Sequence, residues 1–276
     1  MINLKSIYTV AKKEFLDNFR NKWIIIITIL FVLLLLLFSY AAALGEEQLF
    51  GDMESTVVGL LVISSFLIPI IAIILGFNTI SGEAESGSLY VLLSYPVKRI
   101  EVLIGKILGL GSVIAFSTFI GFSIGGLIIA VSSSSGSWLS YFAFIGLTIS
   151  IGLIYLNLSI FVSSICKSRT KSIGGGILIF LWSLIYRTIV GIVYYLTNNN
   201  ATEELDAINQ ADIIPDFFYN SAVFNPGDLY SYAVSKAFNP DISLGFLNMV
   251  NILLLMLIWC IVPVVLAYIF FKRRDI

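Results

Sequence analysis

The sequence predicts an all-α integral membrane protein with six transmembrane helices and both termini in the cytoplasm, on three observations. Of its residues, 58% are hydrophobic and only 12% are charged. Six apolar runs each reach the ~20 residues that a helix needs to cross a ~30 Å hydrocarbon layer. The connections between these runs alternate in the sign of their charge. The runs lack the polar–apolar alternation of barrel strands, so helices are the predicted element.

The apolar runs divide the chain into spans and short connections. The predicted spans are Trp23–Leu44, Thr56–Ile80, Ile107–Val131, Trp138–Ile165, Ser172–Leu196 and Gly245–Phe271. Because no soluble core is expected beside them, the lipid bilayer is the solvent, and each spanning backbone group must be hydrogen-bonded within its helix. The whole chain, 1–276, is therefore predicted to be one transmembrane domain.

The charges orient these spans. Basic residues precede the first span, follow the last one, and occupy the connections after the second and fourth spans. Acids occupy the connections after the first and fifth spans, and a Ser/Gly stretch follows the third. The positive-inside rule places the basic side in the cytoplasm. We therefore expect a multi-pass protein of the plasma membrane. The basic residues are Lys5, Lys12, Lys13, Arg20, Lys22, Lys98, Arg99, Lys106, Lys167, Arg169, Lys171, Lys272, Arg273 and Arg274.

The composition argues against an enzyme. The chain has no histidine, so a His-ligated zinc site or a His-based triad cannot be built. It also has no GxxxxGK[ST] phosphate loop, because Gly105-Lys106 lacks both the upstream glycine and the following hydroxyl. We expect no cofactor or metal on this chain and no nucleic-acid partner. An intramembrane protease is the enzyme alternative, and it lacks an obvious carboxylate pair.

Residues 1–21 are too polar to span, but they carry a helical apolar stripe. Its members recur every three or four residues: Leu4, Tyr8, Ala11, Phe15 and Phe19. This spacing predicts an N-terminal interfacial helix in the cytoplasmic headgroup layer. The alternative is a basic flank that only orients the first span.

Residues 81–105 form the most unusual cytoplasmic connection. A polar stretch with Glu83 and Glu85 precedes a short apolar turn, which Pro96 ends. Within this turn Leu89, Leu92 and Leu93 share one side. Since no soluble domain is available to cover these leucines, we expect them to lie on lipid or in a groove of another protein. A plain interfacial connector is the alternative.

Residues 197–244 form a predicted outer insertion between the fifth and sixth spans. Asn225-Pro226-Gly227-Asp228 has a cap residue, a proline at the first helical position and an acid in the first turn. The pattern predicts a helix through about Ser235. We expect short helices here that dip into or lie on the membrane surface and cover the spans.

Polar residues within the spans are few. Arg187 is costly at that depth, and pairing with an acid of the outer insertion is favoured over attraction of an anionic headgroup or substrate. Asn78 and Asn157 could line a pathway, and interhelical hydrogen bonds explain them equally well.

The stretch from Gly82 to Lys106 carries the most specific motif. It reads GEAESGSL, then LLSYPVKR, then GK, and it resembles the "E-x-x-x-G-[ST]-L…L-L-[ST]-x-P-[VI]-x-R…G-K" stretch of ABC-2 type transporter permeases. The start, AKKEF followed by NFRNK, is similar to that family's opening helix. Phe224-Asn225-Pro226 resembles an outer "N-P" more weakly. The likeness covers nearly the whole chain and fits best the branch of the permease used in nitrous-oxide-reductase maturation.

The resemblance implies a transporter whose ATP-hydrolysing subunit is a separate chain. An ATPase subunit with its ATP and Mg²⁺ would bind the cytoplasmic segment, a second permease subunit would complete a homodimer or heterodimer, and transport would be export. The coupling residues that it implies are Gly82, Glu83, Glu85, Gly87, Leu89, Leu92, Leu93, Pro96, Lys98, Arg99 and Lys106. The rival interpretations are a secondary transporter or channel working alone and a non-transporting membrane assembly scaffold.

Overall fold

The computed structural model describes residues 3–19, 29, 33, 53–132, 138–197, 216–242 and 244–274, and every regular element within them is helical. This confirms the all-α fold class. The helices are α1 Leu4–Phe19, α2 Met53–Gly76, α3 Ser81–Glu85, α4 Ser88–Ser94, α5 Arg99–Ser132, α6 Trp138–Ile165, α7 Arg169–Thr197, α8 Asp216–Ser221, a 3-10 turn at Ala222–Phe224, α9 Pro226–Phe238 and α10 Met249–Arg273.

Within the described residues, five helical stretches are long and apolar enough to cross a membrane. They contain α2 with α3, α5, α6, α7 and α10. The chain is therefore a multi-pass membrane protein. The expected first span, Trp23–Leu44, lies outside the described residues apart from Ile29 and Leu33. The count of six spans and their orientation stay predictions.

Helix α6 is the centre of the bundle. It packs against α2, α5, α7, α9 and α10, and it is the most buried of the five candidate spans. Phe144 and Tyr155 are fully enclosed, and the Tyr141 hydroxyl donates to the carbonyl oxygen of Phe122 at 2.7 Å. By contrast, α7 and α10 leave most of their apolar side chains on the outside. This arrangement suits helices whose outer sides face lipid.

The N-terminal helix is confirmed, and it uses two faces. Leu4 and Tyr8 of the predicted stripe are largely exposed, as contact with the headgroup layer requires. A second face, with Ile7 and Val10, is buried against α5. The two helices approach so closely that a β-carbon at Gly105 would lie 2.7 Å from Cβ of Val10. Helix α1 is thus part of the bundle, which the stripe alone did not predict.

The predicted helix after Asn225 is also confirmed, as α9. The Asn225 side chain accepts from the backbone N–H of Gly227 at 3.1 Å, which caps the helix. Helix α9 packs against α6, α10 and α2. The buried Tyr230 hydroxyl lies 2.7 Å from the Ser64 hydroxyl and 2.8 Å from that of Thr148. These bonds lock α9 between two spans.

Candidate functional site

A turn over residues 77–80 separates the end of α2 from the segment 81–105. One hydroxyl of α6 hydrogen-bonds to backbone groups at this break. Ser163 Oγ donates to the carbonyl of Phe77 at 2.7 Å and accepts from the N–H groups of Ile80 and Ser81 at 3.1 and 2.9 Å. An unpaired backbone group at membrane depth costs several kcal/mol, so these bonds allow the helix to end there.

The same turn accepts a hydrogen bond from α7, and its own Asn78 packs against Gly82. Ser172 Oγ donates to the Phe77 carbonyl at 2.7 Å. The amide oxygen of Asn78 is buried without a hydrogen-bond partner among the described residues. It lies so close to Gly82 that a β-carbon at Gly82 would overlap it. Gly82 therefore fits against this turn, and Asn78 faces inward to the bundle.

Two residues set the direction of the chain around α4. Gly87 joins α3 to α4 with a φ of 77°, in the left-handed region that favours glycine. Its β-carbon would meet nothing within 4 Å, so the backbone and not the space selects glycine here. Helix α4 ends at Ser94, and Pro96 follows its C-cap. The predicted helix stop at Pro96 is confirmed.

The leucines of α4 are covered by this chain itself. Leu89 is 0% exposed and belongs to the main apolar cluster, and Leu92 and Leu93 pack partly buried against that cluster. The prediction that nothing in the chain covers them is wrong. The short helix lies back on the ends of the spans, and burying its leucines there removes apolar surface from water.

A different set of side chains on this segment faces outward. Tyr90, Val91 and Tyr95 are 54%, 63% and 64% exposed, and we call them the Tyr90–Val91–Tyr95 patch. Sequence reasoning missed this patch because apolar residues surround the turn on several sides. Polarity alone cannot then tell which side the chain covers.

Two of the predicted residues meet in a buried ion cluster. Lys106 is 1% exposed, and its Nζ lies 2.6 Å from Glu83 Oε1 and 2.8 Å from Glu14 Oε1. The cluster joins α5, α3 and α1. Glu14 was not predicted as a partner. The available signal was Lys106 itself, because a lysine beside an apolar run needs partners once it is buried.

The start of α5 is capped by its own third residue. Glu101 Oε2 accepts from the N–H of Lys98 at 3.1 Å, the return bond of a capping box. Glu101 Oε1 accepts from the N–H of Asn3 at 2.8 Å. One carboxylate thus connects the first turns of α1 and α5.

Arg99 ties α5 to the end of α10. Its Nη1 donates to the carbonyls of Phe271, Lys272 and Arg274 at 2.8, 2.9 and 2.9 Å. These are carbonyls that a helix C-terminus leaves without intrahelical partners. Arg99 and Lys106 therefore both bond within the chain, and their predicted role in coupling to an ATPase stays a prediction.

The basic flanks meet at one end of the bundle. Arg99 contacts the end of α10, and the N–H of Arg169, at the start of α7, donates to Glu85 Oε2 at 2.8 Å. Helix α1 reaches the same end through Lys106. The segment 81–105 therefore lies among the basic connections of the chain.

The polar residues of the spans serve contacts between helices. Asn157 is buried, and its Nδ2 donates to the carbonyl of Cys260 at 3.1 Å, which joins α6 to α10. The guanidinium of Arg187 lies 5.9 Å from the ring centre of Tyr232 in α9. Within the described residues Arg187 forms no direct ion pair, but its charge acts on the carboxyl of Asp228, an acid of the outer insertion.

Comparison with known proteins identifies the family. A model described as an ABC-2 family transporter protein matches residues 8–276. The chain belongs to the ABC-2 transporter family. Two relatives named probable ABC transporter permease protein NosY, from Pseudomonas aeruginosa and Stutzerimonas stutzeri, are 29% and 28% identical to this permease over 283 and 285 residues. Each alignment covers 98% of this chain and 99% of the relative.

Family membership confirms the resemblance, including the NosY-like branch. The permease is the membrane subunit of an ABC transporter, and ATP hydrolysis lies on a separate subunit. This sets aside the enzyme, secondary-transporter and channel alternatives.

Proposed function

We propose that the permease is the membrane subunit of an exporter in the plasma membrane, driven by a separate ATPase that docks on the Tyr90–Val91–Tyr95 patch. The observation that carries the proposal is the division of the 81–105 segment into two sides. One side is buried and hydrogen-bonded within the bundle, and the other presents three apolar side chains to the outside. Apolar and aromatic side chains exposed together typically mark a binding surface.

The charge distribution supports docking of the ATPase at this end of the bundle. The patch belongs to the end of the bundle where the basic connections meet. By the positive-inside rule this end is cytoplasmic, where ATP is available. ATP and Mg²⁺ bind the partner, and no cofactor is needed on this chain.

The contacts around the segment define what an ATPase would move. Glu83 and Glu14 both hold Lys106, so a displacement of α3 carries α5 and α1 with it. Separating them would strand a buried ammonium, which is costly. Arg99 extends the connection to α10. Force applied at the patch therefore reaches several spans at once.

A second permease subunit completes the proposed transporter, as a homodimer or heterodimer. The outward apolar surfaces of α7 and α10 support this arrangement, because they are large enough to serve contact with both lipid and another subunit.

The test is binding of the ATPase subunit. We expect Tyr90→Glu combined with Val91→Glu to reduce ATPase co-purification at least tenfold and to abolish stimulation of ATP hydrolysis by the permease. Both side chains are exposed, so the thermal stability of the permease should stay unchanged. The control is Tyr90→Phe with Val91→Ile, which keeps the patch apolar and should keep binding. Full binding by the glutamate variant, at unchanged stability, would remove the patch as the docking site.

A further inference from the structure

A cavity of about 520 Å³ opens beside the segment, between the ends of α6 and α10. This volume is within the ~300–1,000 Å³ range of small-ligand sites. Its walls include Ser164, Ile165, Lys167, Phe270, Arg273 and Arg274, and Tyr90 of the patch. Neither the ion cluster of Lys106 nor the N-cap of α9 contributes to it.

The polar side of the cavity is positive. Lys167, Arg273 and Arg274 line it, and no acidic residue does within the part of the chain that the structure describes. None of the three forms an ion pair with another described residue. Arg274 reaches the backbone carbonyls of Ser163 and Ser164 at 3.3 and 3.5 Å, which are neutral partners. Within the described residues no acid neutralises this wall, which favours an anionic ligand.

The other side of the cavity is apolar and continues along the spans. Ile165 and Phe270 are 47% and 41% exposed at the ends of α6 and α10. Phe161, one turn further into α6, places its ring 6.0 Å from that of Phe270. The apolar wall thus runs from the cavity toward the hydrocarbon layer. A ligand that fits both walls carries a negative head and an acyl tail.

We propose that this cavity binds the phosphate headgroup of an anionic phospholipid from the leaflet at the basic end, with its acyl chains along Ile165 and Phe270. Basic pockets between transmembrane helices recognise such headgroups through charge and position. An acidic protein segment would satisfy the bases, but it would leave the apolar wall without a matching partner. Tyr90 belongs to both the cavity and the proposed docking patch, but lipid binding is measured without an ATPase, so the two proposals can fail separately.

The test uses the delipidated full-length permease in neutral detergent, titrated with phosphatidylglycerol and separately with phosphatidylcholine, with bound lipid counted by native mass spectrometry. We expect saturable binding of phosphatidylglycerol at least tenfold tighter than that of phosphatidylcholine. Lys167→Gln with Arg273→Gln should weaken phosphatidylglycerol binding about tenfold or more. Arg274 is left unchanged because it also bonds backbone carbonyls.

The matched control removes two basic residues that belong to the same basic connections but do not line the cavity, Lys171→Gln with Lys272→Gln. This pair should bind phosphatidylglycerol like the parent protein. Equal weakening in both pairs would show diffuse attraction to a basic surface and would overturn the proposal.

Two further arms distinguish other occupants. Inorganic phosphate at millimolar concentration should not displace the lipid; complete displacement would assign the cavity to a free anion and overturn the lipid as its ligand. Co-purification with the ATPase subunit is measured on the Lys167 and Arg273 variant. Loss of the ATPase with lipid binding unchanged would assign the bases to a protein partner and overturn the proposal as well.

Discussion

At the scale of single residues, Lys106 is buried and its ammonium contacts two carboxylates. Replacing it with methionine should lower the free energy of unfolding by about 3 kcal/mol, because Glu14 and Glu83 would then face each other without a cation. Thermal unfolding of the purified permease in detergent measures the effect. Lys13→Met is the control, since Lys13 is exposed and its ion pairs are long, and it should cost no more than ~1 kcal/mol. Equal losses would show that the buried cluster adds nothing.

Asp228 gives the permease a pH-dependent contribution at the outer helices. Its burial raises the pKa of this carboxyl, although a hydrogen bond from Asn225 and the charge of Arg187 act in the opposite direction. A raised pKa in the folded state means that folding takes up a proton. The contribution to stability is therefore greatest below the unfolded pKa of ~3.9, and it is lost as the pH rises through the folded pKa.

Asp228→Asn should remove this dependence. The variant keeps an acceptor for Asn225, so we expect a higher melting temperature than the parent protein at neutral pH and a difference that shrinks as the pH falls toward 4. Melting curves across that pH range measure it. Asp241→Asn, which changes an exposed carboxylate after α9, serves as the control. A constant difference at every pH would contradict the assignment to burial of Asp228.

At this scale the sequence predicted local contacts, but it did not predict contacts between residues distant in the chain. The N-cap role of Asn225 was predictable because a cap is local and its partner is two residues away. The contacts of Lys106 and Arg99 were not, since their partners Glu14 and Phe271 are distant in the chain. Spacing along one helix carries no information on such pairs.

At the scale of elements, the packing of α1 on α5 depends on small residues at the contact. Gly105→Ala should push α1 away, because the added carbon would lie 2.7 Å from Cβ of Val10 and 3.0 Å from the carbonyl oxygen of Ile7. We expect a lower melting temperature and faster proteolysis within α1. Gly174→Ala is the matched control within a helix, since its added carbon meets nothing within 4 Å. Alanine there should stabilise by up to ~1 kcal/mol.

If both variants behaved alike, helix propensity and not close approach would decide the outcome, and the docking of α1 on α5 would be contradicted. The expected opposite signs follow from the same substitution in two surroundings. This makes the pair informative even where absolute stabilities in detergent are low.

The elements themselves were largely predictable. The span Trp138–Ile165 has the bounds of α6, because serine-rich and basic connections interrupt the apolar run at both ends. Helix α5 instead begins at Arg99, before the predicted Ile107, since Glu101 caps the N–H of Lys98 while the chain is still polar. The side of α4 that the chain covers was predicted wrongly, because a helical periodicity does not say what lies opposite.

At the scale of the whole molecule, the proposed ATPase docking depends on the orientation of the spans in the membrane. The two native cysteines allow it to be measured. Cys166 lies in the loop between α6 and α7 at the basic end, and Cys260 lies within α10, where its sulfur accepts from Asn157. A membrane-impermeant maleimide should label Cys166 in inside-out vesicles and leave it unlabelled in intact cells.

A reporter at the opposite end completes this measurement. Asn239→Cys in a Cys166→Ser background places a thiol at an exposed position after α9, and it should be labelled in intact cells. Labelling of both positions from the same side would contradict the topology, and an exchange of sides would place the Tyr90–Val91–Tyr95 patch away from ATP.

The turn after α2 bears on how a movement of the segment 81–105 would reach the spans. Ser163 bonds the Phe77 carbonyl and the N–H groups of Ile80 and Ser81 at once, so bending at residues 77–80 would break three hydrogen bonds to α6. The discontinuity is therefore stiff, unlike most places where a helix is broken. If an ATPase displaces the segment, as proposed above, the movement would pass through these bonds to α6.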